Sequence, residues 1–219
     1  MSIPIKLNPL GVLRRPYKKT LKYISNQGWT GSSPYINLNM IIQNYHRIEI
    51  VAESLNPSNY CTFFGINGGT GNYNTGTYVL KHNFPSKNYS LKAKYLSSEK
   101  IFGSNIGKRT IEFGYKNGNF IVSFDGDEEI EQNPNTTSFG AFPSWAIVRE
   151  WSPFIFGMNN YRNLSCIGSF KLYSFKIYEY DVLIRDLIPV LDNNNEPCLY
   201  DKILGDFYYN NGNGQFIYE

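Results

Sequence analysis

The feature that most constrains the fold is the shortness of the apolar runs. Each is a few residues long, alternates in polarity, and stops at Gly, Asn, Asp or Pro. HRIEIVAE (46–53) places Ile48, Ile50 and Ala52 on one side and Arg47, Glu49, Val51 and Glu53 on the other. That is the period of a half-buried strand, with Val51 the one inconsistent residue. CTFFGI (61–66), YSLKAKYL (89–96), RTIEFGY (109–115), NFIVSF (119–124), PFIFGM (153–158) and FKLYSFKIY (170–178) behave in the same way. The gaps NGGTGN, KNGN, FDGD, NNYRN, NNNEP and NNGNG carry turn chemistry. Only SWAIVREW (144–151) could make a helical turn or two.

Short strands punctuated by Gly and Asn, with no helices between them, predict an antiparallel sandwich or barrel. The chain has 219 residues. That length suits a two-sheet jelly roll better than an immunoglobulin-type domain of about 100 residues. One domain of this size buries roughly 70% of its unfolded surface and folds without disulfide or metal. The 16% aromatic content, mostly Tyr and Phe, suits pleated surfaces. Cys61, Cys166 and Cys198 are an odd number without CxxC spacing, so reduced thiols are expected. Pro4 and Pro9 interrupt what would be the apolar core of a signal peptide, and no apolar run is long enough to span a bilayer. Synthesis in a cytoplasm without export is the expectation.

Charge is unevenly placed. Lys6, Arg14, Arg15, Lys18, Lys19 and Lys22 precede the first acid, Glu49, although the whole chain carries only +3. Residues 1–20 therefore read as an extended basic arm ahead of a domain at 21–219. The arm is either solvated or docked on another protein. Nucleic acid is not the expected partner, because six charges are few.

The densest acidic stretch is FDGDEEIE, with Asp125, Asp127, Glu128, Glu129 and Glu131. Paired carboxylates could serve a glycosidase, and clustered ones could hold calcium. Asp125-Gly126 is nevertheless a hairpin signal, and a turn tip lacks the enclosed cleft that acid catalysis needs. His46 and His82, the only histidines, have no Cys or Asp at ligand spacing and read as surface or packing residues. GINGGTGN (65–72) precedes no helix that would aim amides at a phosphate and reads as a loop. Trp145 and Trp151 could stack sugars, but core packing is the default for aromatics at this abundance. No catalytic residue, cofactor or metal is expected.

The strand KLYSFKIYE, the phrase LIRDLIPVLD, the closure EPCLYDKILGDFYYN and the ending NGNGQFIY, with PYKKTLKYISNQGWTGSSPYINLN at the front, together carry a resemblance. The chain resembles the concanavalin A-like (LamG-like) jelly-roll modules of virion structural proteins from phages and prophages of gut Bacteroidales, including crAss-like phages. Tyr180-Asp181 stands where such modules usually have Asn-Gly, so a wider turn is expected there. No sugar- or calcium-binding residue of eukaryotic relatives has a counterpart to carry over. The fold implied is an all-β antiparallel two-sheet sandwich, with C-terminal strands returning beside the first ones and residues 203–219 structural.

The function implied is a non-enzymatic virion protein, located in the virion. It would be a head fibre, capsid decoration or tail component anchored through Ile3, Ile5, Leu7, Leu10, Arg14, Arg15, Lys18 and Lys19. Its expected partners are other virion proteins of capsid or tail and further copies of itself, with no membrane. The alternative is a carbohydrate-binding module for host surface glycans, with Tyr or Trp exposed beside Asn side chains.

Overall fold

The computed structural model describes residues 16–26, 33–43, 45–55, 61–67, 78–83, 88–93, 100–104, 107–131, 152–160, 163–165 and 169–219. Ile3, Ile5, Leu7, Leu10, Arg14, Arg15 and the segment SWAIVREW lie outside the described residues.

In chain order the strands begin with β1 (Lys19–Thr20), β2 (Ile24–Ser25), β3 (Ile36–Asn37), β4 (His46–Ser54), β5 (Cys61–Asn67) and β6 (Tyr78–Asn83). They continue with β7 (Asn88–Ala93), β8 (Lys100–Ser104), β9 (Lys108–Lys116), β10 (Asn119–Phe124), β11 (Asp127–Glu131) and β12 (Phe154–Ile155). The last are β13 (Met158–Asn160), β14 (Asn163–Ser165), β15 (Phe170–Glu179), β16 (Val182–Leu191), β17 (Pro197–Asp201), β18 (Phe207–Tyr208) and β19 (Ile217–Tyr218). One sheet runs β11-β10-β9-β4-β15-β16-β17-β18, with β1 on β16 and β2 between β15 and β19. The other runs β14-β13-β5-β6-β7-β8, with β12 joining β3 to β5. The fold is the expected all-β, two-sheet antiparallel sandwich of jelly-roll type. Among the described residues, one pairing departs from that pattern: β13 runs parallel to β5, after a reversal at Phe156, whose φ is 72°.

Alternation dictates which faces meet. Ile48 lies between Phe113 and Ile177, and Ile50 between Ile111 and Phe175, so two apolar rows cross three strands. All six side chains are buried. Phe64 of the second sheet comes down on Phe175 at 5.3 Å between ring centroids. Phe170 is held between Phe63 (4.1 Å) and Phe156 (4.4 Å), and Phe156 reaches Phe216 (5.1 Å). Burying such side chains is worth roughly 1.5–3 kcal/mol each and drives the sheets together.

On the outer face of the first sheet, charge pairs stand across the strands. Lys171 faces Glu53 (3.3 Å) and Lys176 faces Glu49 (2.7 Å), each pair in direct register. Tyr173 donates its hydroxyl to Glu53 (2.7 Å).

Two hairpins follow their turn signals. Asn117-Gly118 joins β9 to β10, and Asp125-Gly126 joins β10 to β11, with all four residues at positive φ. Asp125 is engaged by Arg109 (2.9 Å) and by the Thr110 amide (2.8 Å), as a turn residue would be. The expected wide turn at Tyr180-Asp181 is corrected. Glu179 pairs directly with Val182, leaving a two-residue turn with φ of 45° and 66°.

The termini close the sandwich. β19 pairs with β2, and Asn210 accepts from the Tyr35 amide (3.1 Å). At Gly212 a Cβ would lie 2.2 Å from the Ser33 carbonyl oxygen, so only glycine permits this approach. Lys18 and Lys19 stand at the edge of the first sheet. The Lys18 amide donates to Leu191 (2.9 Å), and Lys19-Thr20 pairs with Leu191 and Val190. Tyr17 lies on Tyr200 (5.1 Å), above buried Cys198.

Candidate functional site

Strand alternation places a charged residue where apolar ones are expected. On β16, Leu187 and Leu191 face the core, and Arg185 lies on that same face, in register with buried Ile177. Its guanidinium can remain there because a carboxylate waits behind it. Asp201 of β17, opposite Leu187, is completely buried, with Oδ2 3.5 Å from Arg185 Nε. Asp201 Oδ1 accepts from the amides of Asp186 (3.1 Å) and Ile203 (2.9 Å). The Arg185 Nη1 group donates to the Ile184 carbonyl (2.7 Å). A buried charge needs a partner and hydrogen bonds. Asp201 has hydrogen bonds on Oδ1, whereas Oδ2 has only the ion-pair contact with Arg185 and makes no hydrogen bond.

Arg185 opens into a cleft of about 510 Å³ at the margin between the sheets. One wall is the segment Asn37-Leu38-Asn39, which leaves β3. The other is Asp206, Phe207, Tyr208 and Tyr209, with Leu204 and Asn211 at its ends. The first wall is stiffened locally. Asn39, at φ 51°, donates its amide to Asn37 Oδ1 (3.0 Å) and Ser152 Oγ (3.2 Å). The walls are tied together where the Asn37 amide donates to Asn211 Oδ1 (2.9 Å).

The tyrosines of the second wall remain protonated. Burial, the largest effect, raises the Tyr208 phenol, with the hydrogen-bonded Arg185 opposing it. The Tyr209 phenol is pushed up to about 12 by burial and by its hydrogen bond to Asp192 Oδ2 (3.2 Å). His46 starts β4 on the inward face, buried, with Nδ1 accepting from the Gln43 amide (2.9 Å). Burial first, and then the charge of Arg185, lower its pKa to about 4, so it is neutral at pH 7.

The cleft thus offers a guanidinium, a carboxylate, side-chain amides, phenolic groups and flat ring surfaces, all held by a rigid sandwich. Among the described residues, no group of three or more His, Cys, Asp or Glu could hold a metal ion. No described helix is long and apolar enough to cross a membrane.

Sequence reasoning brings none of the cleft residues together. Of the eight arm residues it selects, only Lys18 and Lys19 are described, and neither lines the cleft. The sequence signal available was Arg185 itself, a charge at a core-facing position of LIRDLIPVL. Residues 203–219, expected to be structural alone, supply one wall of the cleft as well.

No protein-family model and no curated protein matches the chain. Solved structures do. A protein from Bacteroides ovatus assigned as carbohydrate-binding superposes with TM-score 0.51 at 10% identity, covering 92% of this chain and 60% of that one. A family 7 alginate lyase, A1-II′, in complex with substrate gives TM-score 0.40 at 16% identity, covering 67% of this chain and 66% of that one. A second structure of the same lyase gives 0.37 at 16%, covering 65% and 66%. The chain spans less than two thirds of the length of these structures. At such identity the likeness shows the fold.

The first of these matches corrects the resemblance drawn from sequence: the β-sandwich is similar to that of a protein assigned as carbohydrate-binding, not to a virion protein. The physical reason is that KLYSFKIYE, LIRDLIPVLD and EPCLYDKILGDFYYN encode hairpins and alternation, which belong to the sandwich and not to a place in a virus particle. The bacteriophage, capsid and tail assignments fall with it. The expectation of a protein without enzymatic activity, drawn in part from that resemblance, is withdrawn with it.

Proposed function

We propose that this domain binds carbohydrate and that the cleft between Asn37–Asn39 and Asp206–Tyr209 is its site. The observation that carries the reading is the mixture of groups in that cleft. Sugar hydroxyls need donors and acceptors at fixed positions, and the C–H faces of a pyranose pack on aromatic rings. Arg185 and the Asn amides supply donors, Asp206 supplies an acceptor, and Phe207, Tyr208 and Tyr209 supply ring surface. The similarity of the sandwich to a protein assigned as carbohydrate-binding supports the same reading.

The test is a glycan array probed with the purified chain, followed by calorimetry on the ligands retained. Two variants accompany it. Asn39→Gly keeps the positive φ and removes one amide, and Asp206→Asn removes the acceptor charge. Both are expected to keep the wild-type melting temperature and to weaken glycan binding at least about tenfold, a loss of roughly 1.4 kcal/mol. Retention of no glycan, or unchanged affinity in both variants, overturns the assignment.

A further inference from the structure

The turn between β15 and β16 carries two conformationally disfavoured residues in succession. Tyr180 (φ 45°) and Asp181 (φ 66°) hold the left-handed geometry that Asn-Gly enters with little strain and L side chains such as these enter at a cost. Asp181 is locked there by Arg47 Nη2 (3.3 Å) and by the Asn117 amide (3.0 Å). Arg47 is in turn stacked on the Tyr178 ring at 3.8 Å. What the lock presents is Tyr180. Its ring stacks on Tyr45 (4.8 Å, 14° between planes) and meets Tyr115 edge-on (5.7 Å, 80°). Tyr180 is still 58% exposed. Three tyrosines from three strand ends thus converge at one end of the sheet, around a disfavoured turn, and backbone strain of this kind collects at functional sites.

This end of the sheet lies a few residues from Arg185, which lines the cleft. In the chain, Tyr45 follows six residues after Asn39 of the cleft wall. Tyr45 packs edge-on against His46 (4.8 Å), and His46 lies within the field of Arg185. Tyr180 lies in the turn and Arg185 on β16 opposite Ile177, three residues before Tyr180, which sets the two roughly 10 Å apart at the rise of a strand. That distance exceeds one pyranose ring.

Resting on the carbohydrate reading of the cleft, we propose that Tyr45, Tyr115 and Tyr180 form a second saccharide subsite. The ligand is then an oligosaccharide chain that occupies the cleft and stacks a more distant ring on Tyr180. A free monosaccharide or a chain end held in the cleft alone would not use the tyrosine cluster.

The experiment measures affinity by calorimetry for two size series, cello-oligosaccharides and oligouronates, each from disaccharide to octasaccharide. Wild type is compared with Tyr180→Asn/Asp181→Gly, which installs the residues this turn geometry favours, and with Tyr115→Leu. Circular dichroism and melting confirm that each variant is folded. In wild type, affinity is expected to rise at least tenfold with chain length in the series that binds, then level off. The double variant should keep the disaccharide affinity and lose the rise, and Tyr115→Leu should lose part of it. An equal rise in all three proteins, or no rise in wild type, overturns the tyrosine subsite while leaving the cleft reading intact. Absence of binding to every member of both series overturns the two readings together.

Discussion

Replacing Asp201 by alanine tests the construction of the cleft floor. The carboxylate is fully buried and serves three groups: the amides of Asp186 and Ile203 on Oδ1, and the Arg185 guanidinium near Oδ2. Each amide left without an acceptor costs about 1–3 kcal/mol. Removing one member of a buried ion pair costs about 3–5 kcal/mol, because the other charge remains desolvated. Arg185 is one-fifth exposed and recovers some hydration through the cleft, so the contributions overlap, and a total of about 4–5 kcal/mol is expected. Asp201→Asn keeps an oxygen for both amides and removes the charge alone, for about 2 kcal/mol. The assay is urea unfolding followed by circular dichroism, with stabilities compared at equal slope. The gap between the two variants measures the amide contacts, and the asparagine value measures the charge. If Asp201→Ala costs less than about 1 kcal/mol, the carboxylate does not support Arg185 and the account of the cleft floor is wrong.

Two further outcomes follow from the geometry. His46 has a folded pKa of about 4 against 6.5 in a free chain; between these values the unfolded state binds more protons, so stability declines as pH falls from about 6.5 toward 4. The decline is on the order of 3 kcal/mol and should flatten in His46→Gln, which urea midpoints at pH 7 and pH 4.5 would reveal; parallel profiles would contradict it. Gly212→Ala places a methyl 2.2 Å from the Ser33 carbonyl oxygen, and a melting experiment should show a loss of about 2–3 kcal/mol, whereas an unchanged melting temperature would mean that the terminal segment is not seated on that backbone.

The sheets were legible because their information is local. The alternation in HRIEIVAE and NFIVSF names the residues that became core, and Asn117-Gly118 and Asp125-Gly126 form the two-residue hairpins their chemistry favours. Even the bulge in β15 is visible, since the inward set Phe170, Leu172, Phe175, Ile177 skips one residue. The turn at Tyr180-Asp181 misled because local propensity argues against it. It is stabilised by Arg47 and Asn117, far away along the chain.

Composition and period were thus sufficient for an all-β sandwich, the hairpins at Asn117-Gly118 and Asp125-Gly126 and most of its inward faces, since these depend on neighbours within a few residues. The cleft and the tyrosine cluster depend on closure of the sandwich. Asn37 and Asn39 share a cleft with Arg185 and Tyr208 because β19 pairs with β2 and Asn210 and Asn211 accept from the amides of Tyr35 and Asn37. No local preference encodes a contact across more than a hundred residues. It arises when burial of two apolar faces brings the strand ends together, and with them the polar groups that no core could hold.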